Sequence, residues 1–569
     1  MLRKTEINPQ LDLFSNVTNF LKGKTLTMYE DSNAWHNIFR KTVTSRIDED
    51  VFSVLYGTTG RPNASIRVLV AMMILKEAEG MSDEKLFEQC RFNILFTSAL
   101  GLLNMTDTLP AESTYYLFRK QVVDYEKENG VNLYEKMFSK LTKDQALEFN
   151  VSGKSIRMDS KLIASNIAWL SRYELIHKTL SIHYKLINPN ELPEITRKRL
   201  DDLLNTEGNK VIYRSTSAEI KALSIEFGSL ISEVLKLIKY SSLDSYSILK
   251  RVFNDQYKVS GQKIEFKENE EISANSVQSP HDTDCSYRNK GDKNSNDNQK
   301  VKGYSVNITE TCDEEKLNLI TDVGVERASA ADKDFLKPAA QKTQEIVKDK
   351  IENCHTDGAY NSDENQSFCK ENNTNLYLHA IQGAKSRYDL ELNADNTLKI
   401  TDLKTNTLID STPIISKNGA IKWRAKIGET TRYFTSKELN TCNLRKEIAS
   451  TPIEILQKRN NVEATIFQLA YHCDKAQTRY RGLMKHKMWA TVRCIWINFV
   501  RILNYVVNST IKPENMNNNM PENENLRNQT IFPLHNLVHC SIFIHFLCIL
   551  MLPNGKSPSH LSKVRFYAV

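Results

Sequence analysis

The sequence predicts an α/β (α+β) protein in which a helical N-terminal region leads into a mixed sheet flanked by helices. Three observations predict it. Helical periodicity with clear start and stop signals runs to about residue 145; a β-β-β-α-β-α-β order follows between 151 and 380; and two segments of different character interrupt that order, one helical and one β-rich. With 569 residues the chain is long enough for a large core and about two to four domains. Hydrophobic residues make up 40% and charged residues 25%, which excludes a disordered or fibrous chain. The net charge of +7 permits an acidic polymer as partner without demanding one.

In the N-terminal region, the residues after "GRPNAS" start an apolar-rich helix from Ile66 to Ala78, stopped at Gly80. Ser82, Asp83 and Glu84 open the next helix. The pair, joined by "EGMSD", reads either as a helix-turn-helix for DNA or as a plain bundle corner. The helix after "LPAES" carries Tyr115, Tyr116, Phe118 and Val122, which read as packing rather than base stacking.

From 151 the pattern changes. "KSIRMDSKLIAS" reads as a strand, helical periodicity returns over 166–260, and the polar stretch 267–300 reads as a mobile loop. "GYSVNITETC" alternates Tyr304, Val306 and Ile308 with Ser305, Asn307 and Thr309, and "LNLITDVGV" is its expected hairpin partner. A helix over 331–349, the strand before Asp357, a helix opened at Ser362, and the strand "NLYLHAIQG" complete the order. Residues 387–434 are a β-rich insertion with a turn at Asn418-Gly419, and a helix is expected over about 452–472. The Asn-rich stretch 514–525 reads as a disordered linker to a tail in which "CSIFIHFLCILML" is too short and His-interrupted for a membrane span. No membrane partner is expected. Ten cysteines without a CxxC pair suggest reduced thiols, and with no apolar leader at the N-terminus a cytoplasmic protein is expected.

Three carboxylates stand where function competes with simple solvation. Asp159 ends the first strand in "IRMDS", Asp357 ends the fourth in "HTDG", and Glu463 lies on the late helix in "RNNVEATIFQL". If the first and fourth strands are neighbours, the two aspartates approach each other and a following helix adds the glutamate. Such acids repel unless a divalent cation neutralises them. Hard oxygen donors favour Mg²⁺, with Mn²⁺ able to substitute, and two such ions activate water and stabilise the leaving oxygen of a phosphodiester. On this reading Asp357 is bare so that metal reaches it, and Gly358 leaves room for the backbone of a substrate. Asp282, Asp284 and Asp322 are weaker metal neighbours, with turn or loop solvation the plainer account. His281 and His355 read as structural.

These stretches, together with "GRPNASIRVLVAMMILKEAEGMSDEKLFEQC", "SPHDTDCSYRNK", "LITDVGVERASAADKDFL" and "RYRGLMKHKMWATVRCIWINFVRI", resemble the DDE transposases of bacterial insertion sequences over roughly residues 30–505. The resemblance implies an RNase H-like catalytic core at 151–505, with a helical insertion and mobile loop at 166–300 and the β-rich insertion at 387–434. It implies a helical N-terminal domain at 1–145 that recognises DNA ends, and it leaves 506–569 as linker and tail. It further implies Asp159, Asp357 and Glu463 as both catalytic and metal-binding residues. Family members often carry a Tyr, Arg, Glu, Lys signature around the glutamate; here Arg459 and Glu463 match, but Leu456 and Ala470 replace the Tyr and Lys.

Between 475 and 501 lie Lys475, Arg479, Arg481, Lys485, Lys487, Arg493 and Arg501 with no acid among them, a candidate DNA-binding band that Arg459 would join beside the metals. Trp489, Trp496 and Phe499 recur at helical spacing, as packing residues do. The expected activity is Mg²⁺-dependent cleavage and strand transfer at the ends of a mobile element. Its partners would be terminal repeats and target DNA in the nucleoid, with a dimer or larger assembly formed on DNA. The alternatives are a nuclease without strand transfer, and a transposase-derived DNA-binding repressor.

Overall fold

The structure is a computed structural model and describes residues 1–5, 15–261, 263–290, 299–381, 383, 385–415 and 421–511. The expected Asn418-Gly419 turn, the Asn-rich stretch and the apolar tail lie outside the described residues.

Helices fill the N-terminal region as far as Leu133–Glu148. Two matter most, α1 (Ile66–Ala78) and α2 (Asp83–Phe92), which start where Ser65 and Ser82 accept the Val68 and Lys85 N–H groups. Every residue of α1 except Arg67 is buried. A helix buried on nearly all sides belongs in the middle of a fold, and α1 packs in one core with Ile163, Tyr304, Ile308, Leu469, Trp489 and Phe499 from much later in the chain, its buried Lys76 and Glu77 being paired with Asp83 and Tyr480. The N-terminal helices therefore have no core separate from the sheet. The exposed side of α2 presents Glu84 and Glu88 beside Lys85 and Arg91, without the positive excess expected of a helix entering a DNA groove.

The main sheet has six strands: β1 (Ser155–Ala164), β2 (Ser286–Lys290), β3 (Gln299–Thr311), β4 (Ile320–Arg327), β5 (Asn353–Thr356) and β6 (Asn375–Leu378). Its order is β2-β3-β1-β5-β6, and β4 also pairs with β3. The first four strands pair antiparallel, whereas β1-β5 and β5-β6 are parallel. One face carries Ile156 and Met158 against α3 (Lys333–Val347) and α4 (Asp363–Glu371), through Phe335, Leu336 and Cys369. The other face is covered by α5 (Asn460–Leu469), α6 (Leu483–Ile511) and the N-terminal helices. The mixed α/β class is thus as the sequence predicts.

Two modules interrupt the layers. Helices between Arg172 and Gln256 enclose their own core around Tyr173, Ile176, Phe227, Ile231 and Val252. Helical structure there stops at Gln256 instead of 260, because a hairpin (Tyr257–Ser260 with Lys263–Phe266) turns at Gly261 and buries Tyr257. The polar stretch expected to be a loop contributes β2, whose residues pair with 299–303. The β-rich insertion forms two three-stranded sheets, closed by the helix Ser436–Ser450 on a core of Leu390, Ile400, Trp423 and Phe434.

By length and composition α6 could cross a membrane. Its Trp489, Val492, Ile495 and Phe499 are nevertheless buried in the main core, and it carries the half-buried Arg501 and the buried Arg493 and Asn498 with partners inside the protein. The eight cysteines among the described residues are free, and all except Cys473 are buried.

Candidate active site

The register of the sheet builds the site. Ser155 pairs with Asn353 and Arg157 with His355 across the parallel β1-β5 ladder, which ends there. Two residues beyond that last pair are Asp159, still within β1, and Asp357, the first residue after β5 ends at Thr356, and the charge of Asp357 is felt at Asp159. Asp159 is thus not the end of its strand, since β1 continues to Ala164 along β3 with Asp159 opposite Ile308. What ends at Asp159 is its parallel neighbour, so its side chain borders an open edge. Asp357 closes β5 in extended backbone, where its Oδ1 accepts the Ala359 N–H at 2.9 Å.

The glutamate arrives on α5, which crosses this face. The expected single helix over 452–472 is broken into Ile453–Gln457 and α5, and Arg459 occupies the N-cap position of α5 at the break. Arg459 Nη2 donates to Asp159 Oδ2 at 2.9 Å, and its Nη1 lies 3.6 Å from Glu463 Oε1. Both nitrogens belong to one rigid planar group, so those carboxylate oxygens lie within about 9 Å of each other. The Asp159 side chain is 14% exposed and that of Glu463 61%. Burial pushes the Asp159 carboxyl above its ordinary range, and the charge of Asp357 adds to the rise; Arg459 and the Ser160 N–H oppose it. Each of the three acids therefore senses another or shares an arginine with it.

Hard oxygen donors at a sheet edge, one of them made costly to ionise by burial and further by its neighbour, have the chemistry that a divalent cation relieves. Among the described residues, however, no three His, Cys, Asp or Glu side chains are grouped to hold an ion. The Arg459 guanidinium stands between Asp159 and Glu463 and compensates their charge.

A buried ionic cluster aims α5. Arg157 faces Glu310 across the β1-β3 ladder and binds it at 2.5 Å, while Arg501 of α6 binds the other oxygen at 2.6 Å. Thr465 of α5 donates to Glu310 at 2.8 Å, and Arg157 also donates to the Lys458 carbonyl at 3.1 Å. Burial alone would raise the Glu310 carboxyl, but the two guanidiniums outweigh it and hold it below its ordinary 4.5. On the opposite face Ser160 donates to Asp332 at 2.7 Å, Arg288 lies 3.3 Å from Asp332, and Tyr360 donates to Asn307 at 2.6 Å, bracing β1 behind Asp159. The one signal for Glu310 in the sequence is a charge on an otherwise alternating apolar strand; Asp332, in "ASAADKDFL", had none.

Gly358 has a different role from the expected one. A Cβ there would meet the Ala380 carbonyl oxygen at 1.8 Å, so the space is taken by the chain's own backbone and not left for a substrate. Gly358→Ala is expected to displace Asp357 and destabilise the protein by about 1–3 kcal/mol. A thermal melt of that variant matching wild type would refute this packing.

The basic band divides. Arg493 is buried and donates to the carbonyls of Glu77 at 2.6 Å and Leu469 at 3.1 Å, tying α1 to the end of α5. It is corrected from a DNA contact to an internal clamp, because its donors are turned inward. Arg479 donates to the carbonyls of Gly80 at 2.6 Å and Met81, Arg481 to that of Asn166 at 2.5 Å, and Lys487 lies 3.8 Å from the buried Glu126. Lys475 and Lys485 are exposed, without an ion pair among the described residues. The competing acids are likewise structural. Asp282 accepts from Ser165, Tyr304 and the Gly482 N–H at 2.5, 2.6 and 2.9 Å; Asp322 pairs with Lys342 at 3.3 Å; Asp284 stands 3.9 Å from Arg327. His355 stacks on Tyr377 at 5.1 Å and is held neutral, its pKa lowered to about 4 by burial and by Lys458 and Arg157.

No curated protein and no solved structure matches the chain. A family model described as Transposase domain (DUF772) matches residues 28–121, the stretch that includes α1 and α2. The match supports a transposase-like function, and it falls on the helices packed against the sheet, not on the acids themselves.

Proposed function

We propose that the chain is a metal-dependent DNA transposase of the DDE type, built on an RNase H-like core, that cleaves the ends of its own mobile element and transfers them to target DNA. The observation that carries the reading is the placement of Asp159 and Asp357 just past the end of a parallel ladder, close enough for their charges to interact, with Glu463 joined to Asp159 through Arg459. The match of residues 28–121 to a transposase domain supports it independently.

Asp159, Asp357 and Glu463 would hold Mg²⁺, which when bound supplies water activation and charge stabilisation at the phosphodiester. The protein's own part is to orient. The Glu310 cluster fixes where α5 crosses β1, and Ser160 and Asp332 hold β1 from behind. Arg459 would compensate the charge of Asp159 and Glu463 before DNA arrives, and on releasing Asp159 it would turn its fork to a phosphate. Positioning of the scissile bond against those carboxylates would add to the rate. Synapsis of two ends would require at least a dimer.

The test is cleavage and strand transfer with labelled element ends, in Mg²⁺ or Mn²⁺, by wild type and Asp357→Ala with binding measured in parallel. Cutting lost and binding kept is the expected result. Undiminished cutting by the variant removes Asp357 from the site, cutting without joining makes the protein a nuclease, and wild type that shifts ends but never nicks them makes it a binding protein only.

A further inference from the structure

We infer that the β-rich insertion carries a second DNA-binding surface, the outer face of its sheet Ser411–Ile415, Ile421–Ile427 and Thr430–Thr435, which grips the phosphate backbone of duplex DNA without reading its sequence.

The middle strand alternates strictly. Trp423 and Ala425 are buried in the module's core, while Lys422, Arg424 and Lys426 are exposed on the opposite face. The register sets Ile414 and Thr435 beside Lys422, Thr412 and Tyr433 beside Arg424, and Thr431 beside Lys426. Arg432 lies over the rings of Tyr388 and Phe434 on the inner face, which leaves Thr431, Tyr433 and Thr435 outside with the three cations. No acid shares that face among these paired positions; the nearest is Asp410, one residue before the edge strand and level with Lys426, to which it makes no ion pair.

Elsewhere the same module pairs four of its cations with acids, while Lys404, Lys437 and Arg445 have no ion pair among the described residues. Arg387 binds Asp402 at 2.6 Å, Lys446 binds Asp389 at 2.8 Å, Arg432 lies 3.3 Å from Glu438 and Lys399 3.6 Å from Glu391. Lys422, Arg424 and Lys426 have no ion pair among the described residues. Like charges in a row on a central strand repel one another, and opposite charges across the ladder would relieve them; their absence leaves the countercharge to come from outside. Alternate strand residues are about 7 Å apart, a pitch comparable with neighbouring phosphates on one nucleic-acid strand. Tyr433, 53% exposed beside Arg424, adds a hydroxyl of the kind that donates to phosphate oxygens. Both chain connections of the module lead to the candidate active site, one through Ala380 packed on Gly358 and the other into α5. DNA held on this face would thus be attached to the two segments that carry Asp357 and Glu463. The inference rests on the reading of the chain as one that acts on DNA, but not on the chemistry of cleavage.

The experiment is the salt dependence of binding of the full chain to a fluorescent random-sequence duplex, comparing wild type with the Lys422→Gln, Arg424→Gln, Lys426→Gln triple variant. Each phosphate contact contributes a slope of about 0.9 in log affinity against log salt, so the triple variant is expected to lose between two and three units of slope and at least tenfold in affinity near 0.1 M salt. Lys399→Gln, which removes a paired cation of the same module, is the control and is expected to bind as wild type does. A triple variant that melts like wild type and binds with unchanged slope overturns the surface; cleavage of element ends in that case would leave the transposase reading standing. Wild type that neither binds nor cuts any duplex overturns both. A slope lost equally by Lys399→Gln, or binding confined to single strands, also overturns the inference.

Discussion

Asp159→Asn is expected to lower end cleavage about a thousandfold or more while leaving the protein at least as stable as wild type at neutral pH. The loss of rate follows from removing one of two adjacent oxygen donors at a site that would supply several kcal/mol of transition-state charge stabilisation, each 1.36 kcal/mol being about tenfold. The retained stability follows from the electrostatics of the folded chain. Burial and Asp357 raise the Asp159 carboxyl above its ordinary 3.8 in spite of Arg459. A carboxyl raised in the folded state destabilises the fold when ionised, and this penalty disappears as pH falls through the raised value. Asparagine removes the charge at all pH values and keeps an acceptor for Arg459 and the Ser160 N–H. Single-turnover cleavage with Mn²⁺ and thermal melts at pH 7 measure the two effects. A variant that cuts within tenfold of wild type, or melts clearly below it, contradicts the assignment.

Glu310→Ala is expected to produce the largest loss of stability of any single substitution considered, about 3–5 kcal/mol, because it strands Arg157 and Arg501 without their shared anion. Against a typical total of about 5–15 kcal/mol this approaches unfolding. The dependence on pH has the opposite sign from that of Asp159. Glu310 is held below its ordinary 4.5, so its contribution is complete above that value and is lost as pH falls through the depressed one. Urea melts across the acid range are therefore expected to fall less steeply for Glu310→Gln than for wild type. Equal acid limbs for the two proteins would show that Glu310 is not the ionised centre of this cluster.

Much of the fold was legible because the relevant patterns are local. Strict alternation in "GYSVNITETC" marks β3, and the serine caps mark α1 and α2. The two aspartates were legible as residues at strand edges, but the register that places them side by side depends on a parallel pairing between strands separated by nearly two hundred residues, which local pattern does not encode. The hairpin at Tyr257 was hidden because its four-residue strands extend an apolar helical run. The basic band was misread for a related reason. Composition shows that Arg493 and Arg479 are cationic, but not that carbonyls at and just past the end of α1 would accept their N–H groups. Lys422, Arg424 and Lys426 were visible in sequence only as part of a β-rich insertion, and their common face emerged from the ladder.

The merging of the N-terminal helices with the sheet has a consequence for how the protein is made. The Glu77 carbonyl at the end of α1 is held by Arg493, 416 residues later, and the apolar walls of α1 are closed by α6. At about 5–20 residues per second, the ribosome would release α1 on the order of tens of seconds before its cover exists. During that interval α1 can pack only on the early helices that share its core, through residues such as Phe39, Phe87, Phe118 and Leu141, and the side that α6 and the sheet will cover stays open, so nascent chains of this protein should be clients of chaperones, and truncation before residue 500 should yield insoluble product and not a smaller working unit.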